Sequence, residues 1–239
     1  MITIKIAGIC VGLQNRYPDL EMLCRGYETE EPPVFCLEVS QEEMEAERHS
    51  QEHPFPDGYL ETVCIYRQLA LQMLQYNVFI LHASVIALDG EGYAFLAPSG
   101  TGKTTQTRLW LEHFGSRAQV VNGDKPLIRM VASEGKTQFM ACGTPWMGKE
   151  GLGANVTVPL KALLFVERSQ EVSCTPAPEA ETVGRLFRQL LMPRDYGQMD
   201  NLLTMVDTLV QTVPCYILRC DMTDDSVTAA YNAVREIVV

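Results

Sequence analysis

The chain has no excess of positive charge, no long apolar run and no paired-cysteine motif, and each absence narrows its class. Its 19 Lys and Arg stand against 30 Asp and Glu, a net charge of −11. Nucleic-acid binding needs a basic face, so no nucleic-acid partner is expected. No segment approaches the ~18 consecutive apolar residues that would span a bilayer, and no membrane partner is expected. The start, Met1-Ile2-Thr3-Ile4-Lys5-Ile6, alternates apolar and polar residues. It lacks a basic n-region followed by a long apolar core, which argues against a signal peptide. None of the eight cysteines belongs to a Cys-x-x-Cys pair. Several, such as Cys64 and Cys215, sit in apolar runs, the pattern of buried free thiols in a cytoplasmic protein. Repeats, low-complexity tracts and clear linkers are also missing. What remains is ordinary: 46% apolar and 21% charged residues over 239 positions. One domain over 1–239 is expected, with residues 1–57 as a strand-rich N-terminal subdomain.

The hydrophobic pattern predicts strands over 2–12 and 34–39 that pair with each other or with a larger sheet. Ser40 and Glu43 form a capping box for a short acidic helix over 41–48. Tyr59 to Tyr76 reads as a largely buried helix with Glu61, Gln68, Gln72 and Gln75 on its polar face. Val78 to Leu88 reads as one long strand, Asp89-Gly90-Glu91-Gly92 as a tight hairpin turn, and Tyr93 to Leu96 as the returning strand. A helix over 106–114 ends at Gly115 as C-cap. Gln119 to Asp124 is a short strand ending in an acid. Leu127–Met130 and Thr137–Ala141 flank a turn at 133–136. Lys161 to Glu167 is a buried strand. Amphipathic helices cover 179–192 and 199–213, each stopped by a proline. A strand over 215–220 and a helix over 226–238 close the chain.

Between the strand at 93–96 and the helix at 106–114 lies Ala97-Pro98-Ser99-Gly100-Thr101-Gly102-Lys103-Thr104-Thr105. Strand, glycine-containing loop, Lys-Thr and helix is the layout of a phosphate-binding loop. Backbone N–H groups of such a loop form an anion nest, and the helix adds its unpaired N-terminal donors and its dipole. Pro98, Ser99, Gly100, Thr101, Gly102, Lys103, Thr104 and Thr105 are therefore the candidate nucleotide-binding residues. Lys103 would reach the β- and γ-phosphates of ATP, and the Thr104 hydroxyl would ligate Mg²⁺ or Mn²⁺. Ala97 replaces the first glycine of the pattern, a defect of one methyl. The alternative is a glycine-rich turn that only joins strand to helix.

A phosphate loop needs an acid for its metal, usually at the end of a neighbouring strand. Asp124 has that placement, with a helix-capping or turn aspartate as the alternative. His82 lies among apolar residues and on that pattern reads as a satisfied core histidine. Lys125, Arg129 and Lys149 are cations close to these elements, placed equally well for phosphate or for solvent. Trp146, in the glycine-rich stretch 143–151, suits a stacking lid or a plain core position. Arg194 is a weaker candidate for a substrate phosphate or carboxylate. His49-Ser50-Gln51-Glu52-His53 fits the inverted zinc-protease pattern, but Pro54 and Pro56 follow at once and no third ligand is evident, so an exposed turn is expected.

Taken together, Leu81-His82-Ala83-Ser84, the hairpin, Ser99-Gly100-Thr101-Gly102-Lys103-Thr104-Thr105 and the Asn-x-Asp-Lys-Pro segment at 122–126 resemble the HPr kinase/phosphorylase-like group. That group shares its nucleotide-binding core with ATP-dependent phosphoenolpyruvate carboxykinase. The resemblance is best over 78–168, and Gly-Thr-Pro-Trp-x-Gly-Lys at 143–149 resembles a branch of small members of it. It implies an α+β fold: a mixed twisted β-sheet with helices packed on it, built around a carboxykinase-like nucleotide-binding core. It implies ATP and a divalent metal on Thr104 and Asp124, and catalytic roles for Lys103, Asp124 and His82. The family commonly has two adjacent aspartates where this chain has Gly123-Asp124, one for the metal and one as base. Thr105 stands where HPr kinase has a glutamate, and its C-terminal Gly- and Arg-rich segment is missing, so HPr is not the expected acceptor.

Two functions follow as expectations. One is an ATP-dependent phosphotransferase acting on a hydroxyl of a peptide, protein or small molecule. The other is a nucleotide-binding regulatory or scaffolding protein with weak or no catalysis, which Gly123 favours. The carboxykinase reaction is disfavoured by the short chain and the lack of a second ligand cluster. A free sheet edge would suit a homo-oligomer. A gain in turnover on Gly123→Asp would show that the family's chemistry lapsed at that residue.

Overall fold

A computed structural model describes residues 1–133 and 135–235. Glu134 of the expected turn and residues 236–238 of the expected closing helix lie outside the described residues.

The N-terminal stretch folds into two strands rather than one. β1 (Ile2–Ile6) and β2 (Ile9–Gln14) pair antiparallel, with Ile6 opposite Ile9. Ala7 and Gly8 both take positive φ, which makes the reversal and divides the apolar run. β3 (Phe35–Glu38) joins β2 in parallel, so the expected pairing of these segments with each other is seen. Between them runs a short helix unforeseen from the pattern, α1 (Pro18–Leu23). α2 (Gln41–Ser50) starts with the expected capping box: Ser40 Oγ accepts from the Glu43 N–H, and Glu43 accepts from the Ser40 N–H. α3 (Asp57–Met73) lies next. Its Glu61 is not on an exposed polar face. It is 1% exposed and accepts the backbone N–H groups of Arg16 and Tyr17 at 2.7 and 3.2 Å.

The larger sheet has nine strands and is mixed. The segment expected as one strand over 78–88 is two, β4 (Val78–Ile80) and β5 (Ser84–Leu88), with an irregular step at 81–83. β5 turns into β6 (Glu91–Leu96) through Asp89 and Gly90. Their φ values of 51° and 84° are the two positive angles that a tight two-residue hairpin turn requires. After β6 and the glycine loop comes α4 (Lys103–Phe114), ended by Gly115 at φ 55° as expected. β7 (Ala118–Asn122), β8 (Leu127–Ser133) and β9 (Lys136–Cys142) follow.

β10 (Thr157–Arg168) is the longest strand and holds the sheet together. Its start pairs antiparallel with β9, its middle parallel with β6, and its end parallel with β12 (Cys215–Cys220). β11 (Ser173–Pro176) adds an edge to β12. The full order is β4-β8-β9-β10-β6-β5-β7, with β12 and β11 beside the far half of β10. α5 (Glu179–Phe187), α6 (Tyr196–Thr212) and α7 (Asp225–Arg235) complete the chain. α5 stops five residues before the expected limit at 192: Leu190 leaves the helix to bridge Leu81.

The central strands are buried on both faces, so they read as apolar runs rather than alternating ones. Alternation survives in where side chains go. Tyr93, Phe95, Ala162 and Leu164 point toward α4 and α7, around Trp110. Ala94, Leu96, Leu163 and Phe165 point toward α5 and α6. A third cluster joins β1, β2 and α1–α3 to Val78, Ile80, Leu127 and Cys142 of the large sheet. All eight cysteines are free thiols, five of them buried and Cys36 exposed.

Candidate functional site

β6 delivers the buried Leu96 and Ala97 to an exposed turn at Pro98–Gly100. Gly100 and Gly102 take φ +77° and +133°, where a side chain is strained, yet nothing lies within 4 Å of a Cβ at either. The glycines thus serve the backbone path and leave the space beside it open. Gly102 caps α4 without any side-chain acceptor, so the first-turn N–H groups stay available. Thr104 and Thr105 are half-buried in that turn.

Lys103 is only 7% exposed, and its ammonium donates to the Ala97 carbonyl at 2.7 Å. It makes no ion pair among the described residues. Burial lowers its pKa; the negative charge of Asp124 opposes this, and the positive charge of Lys125 adds to it. The helix behind it is pinned on two sides. Ser84 Oγ of β5 meets Thr107 Oγ1 at 2.6 Å, and Gln106 Nε2 donates to Ser226 Oγ at 3.0 Å. From the end of β10, Arg168 donates to the carbonyls of Gly100 and Thr101 at 2.5 and 3.0 Å, tying down the outer side of the loop.

Asp124 sits two residues beyond β7. Asn122 Oδ1 accepts the backbone N–H groups of Asp124 and Lys125 at 2.9 and 2.7 Å, which fixes the turn. Asn122 is itself held by Thr144. The step at 81–83 brings His82 beside this turn, so His82 is a loop residue rather than a mid-strand one. Its Nε2 lies 3.2 Å from Asp124 Oδ1, and its Nδ1 lies 2.9 Å from Gln189 Oε1. Lys125 Nζ stands 3.8 Å from Asp124 Oδ2 and 5.8 Å from the centre of the Tyr66 ring. Burial alone would raise the Asp124 pKa. The His82 hydrogen bond and the charges of Lys125, His82 and Lys103 outweigh it and hold the carboxyl below its ordinary range.

The glycine-rich stretch 143–153 folds over this turn. A Cβ on Gly123 would stand 3.0 Å from the Met147 carbonyl oxygen and 3.1 Å from that of Leu152. The Gly123 N–H already donates to Leu152 O at 2.9 Å. A side chain at 123 would need those carbonyls to give by a few tenths of an ångström. Gly148 lies flat on Asp124, with the site of its missing Cβ 2.9 Å from Asp124 Cβ. Trp146 anchors the stretch to α3: its Nε1 donates to Thr62 O at 3.0 Å and its ring meets Tyr66. Glu150 pairs with Arg108 of α4. Lys149 and Arg194 are exposed, and Arg129 donates to Ala7 O at 2.7 Å, joining the two sheets.

Of the residues picked out in sequence, the structure brings together Lys103, His82, Asp124 and Lys125, and leaves Arg129 and Trp146 in packing roles. Sequence reasoning missed Arg168, Gln189 and Tyr66. Arg168 ends a strand seventy positions from the loop, and Gln189 was hidden inside a predicted helix. Tyr66 lay on a helix with no signal linking it to Asp124. Thr104 and Asp124 are the residues expected to hold a divalent cation. No group of three His, Cys, Asp or Glu side chains that could hold a metal converges among the described residues.

No protein-family model and no curated protein matches the chain. A solved structure of the HPr(Ser) kinase/phosphatase from Coxiella burnetii is similar over 66% of this chain and 94% of its own, with 10% identity and a TM-score of 0.35. That likeness is distant and concerns fold alone.

Proposed function

We propose that the chain is an ATP-dependent phosphotransferase acting on a hydroxyl of a peptide, protein or small molecule. The observation that carries this reading is Lys103. A buried cation whose one hydrogen-bond partner is a carbonyl lies beside an uncapped helix N-terminus and an open, glycine-shaped loop. Such a cation is costly unless an anion arrives to pair with it.

In this reading residues 98–105 bind the triphosphate, with Lys103 on its outer phosphates. Thr104 and Asp124 would hold Mg²⁺ or Mn²⁺, which neutralises the charge of the transferring phosphoryl group. With one acid in place of the family's two, Asp124 would either hold that metal or accept the proton of the acceptor hydroxyl. The acceptor oxygen forms its bond to the γ-phosphorus, the bond to the bridging oxygen breaks, and ADP departs. His82 engages Oδ1 of Asp124 and orients it, while Lys125 adds positive charge beside Oδ2. Arg168 would hold the Gly100 and Thr101 carbonyls of the loop. A cytoplasmic location and a homo-oligomer belong to the same proposal, an edge strand of the sheet being where a second copy would pair.

A second reading, nucleotide binding without efficient chemistry, is favoured by Gly123, which stands where the family has a second acid and whose Cβ position is crowded by two carbonyl oxygens at 3.0 and 3.1 Å. The deciding experiment uses γ-labelled ATP with Mg²⁺ or Mn²⁺, wild type against Lys103→Ala. Label moving to peptide, metabolite or water only in the wild type eliminates the binding-only reading, and label on a peptide or metabolite supports the phosphotransferase. An ATP-induced rise in Tm with no transfer to any acceptor supports binding alone. Absence of ATP binding sinks both. Lys103→Ala is expected to weaken ATP binding by about 2–3 kcal/mol, the scale of lost charge-assisted hydrogen bonds.

A further inference from the structure

The irregular step at 81–83 is held from both sides. The His82 N–H donates to the Gln189 carbonyl at 2.8 Å, and the Ala83 N–H donates to the Asp124 carbonyl at 3.2 Å. Leu81 bridges Leu190. The side chains repeat the same arrangement, with His82 between Gln189 at Nδ1 and Asp124 at Nε2. Gln189 is 7% exposed, and its own N–H donates to Leu186 O at 2.8 Å, closing the last turn of α5. A long polar side chain is thus buried at the end of a helix with its amide directed at one ring nitrogen.

We infer that Gln189 is the positioning residue of the site: it fixes the plane of the His82 ring so that Nε2 faces Asp124. The inference rests on the phosphotransferase reading for its consequence in turnover, but not for the geometry itself. The chemistry of the side chain suits this task. A carboxamide offers both an acceptor and a donor end, so it can satisfy Nδ1 in either tautomer of the ring. A leucine of similar volume offers neither. With Nδ1 unpartnered, the ring is free to turn, and the Asp124 carboxylate loses its fixed contact at Oδ1.

The test compares wild type, Gln189→Leu and Gln189→Glu, all as the full chain. The ring nitrogens of His82 are read by ¹⁵N NMR, assigned among four histidines by His82→Asn. Wild type is expected to show a fixed ring, Gln189→Leu an averaged one, and Gln189→Glu a fixed ring with Nδ1 as the donor, since a carboxylate only accepts. In the transfer assay Gln189→Leu should lower kcat about 10- to 100-fold with KM for ATP nearly unchanged, the usual scale for a group that orients a site residue. Gln189→Glu should recover most of that loss. A His82 spectrum unchanged in Gln189→Leu overturns the inference, as does unchanged kcat with a freed ring. If wild type transfers no label, the function reading fails, and the ring spectra alone decide whether Gln189 orients His82. Gln189→Glu is isosteric and keeps the test open should the leucine variant fail to fold.

Discussion

At the scale of single residues, two features of the Asp124 turn make predictions. The Cβ position of Gly123 lies 3.0 Å from the Met147 carbonyl oxygen and 3.1 Å from that of Leu152, closer than ordinary van der Waals contact. Gly123→Ala should therefore cost about 1–3 kcal/mol, as overpacking does, and lower Tm by roughly 2–4 °C per kcal/mol for a chain of this size. Gly123→Asp should destabilise further and bring no gain in transfer; a more active Gly123→Asp would show that the stretch yields. Asp124 itself sets a pH dependence. Its folded pKa lies below the ordinary value, as burial is outweighed by His82, Lys125 and Lys103. The ionised carboxylate is favoured by folding, so its contribution is full above about pH 3.9 and is lost as pH falls through the lower folded value. The Tm difference between wild type and Asp124→Asn, measured with chelator present, should be constant from pH 7 to about 5 and shrink below about 4. A gap that widens on acidification would contradict this sign.

At the scale of elements, α3 is the helix whose polar pattern misled. A helical projection puts Glu61 with Gln68, Gln72 and Gln75, but the loop before α1 closes over Glu61 and gives it two backbone donors. Glu61→Ala leaves both N–H groups without their acceptor. The expected cost is about 3 kcal/mol, from two hydrogen bonds to a charged group, and Glu61→Gln, which keeps one acceptor oxygen, should lose about half as much. Urea midpoints would check the order; equal stability of all three would mean water replaces the carboxylate. The capping box on α2 and the Gly115 cap on α4, in contrast, were legible, because each depends only on residues within one turn.

At the scale of the molecule, the apolar cluster under β1, β2 and α1–α3 is continuous with Val78, Ile80, Leu127 and Cys142 of the large sheet. Arg129 and Trp146 add polar ties across the same junction. Residues 1–57 therefore cover a face that the rest of the chain would otherwise expose. One cooperative thermal transition is expected, with calorimetric and van't Hoff enthalpies in agreement. Two resolved transitions would show that the N-terminal strands and helices melt as a separate unit. Tying the site to both parts is α3, which brings Tyr66 beneath Lys125 from the N-terminal layer.

The sequence alone determined the glycine loop, the hairpin that feeds it, the helix after it and the mixed character of the sheet. Those features are local: positive φ at chosen glycines, a two-residue turn, a cap and a run of apolar residues each act within a few positions. Only the tertiary structure decided that the strand breaks at His82, that α5 ends early to present Gln189, and that two carbonyls crowd the Cβ position of Gly123. It also decided that Arg168 reaches back to the loop. Each of these is a contact between segments far apart in the chain, where two backbones compete for one space. No periodicity within either segment records that competition.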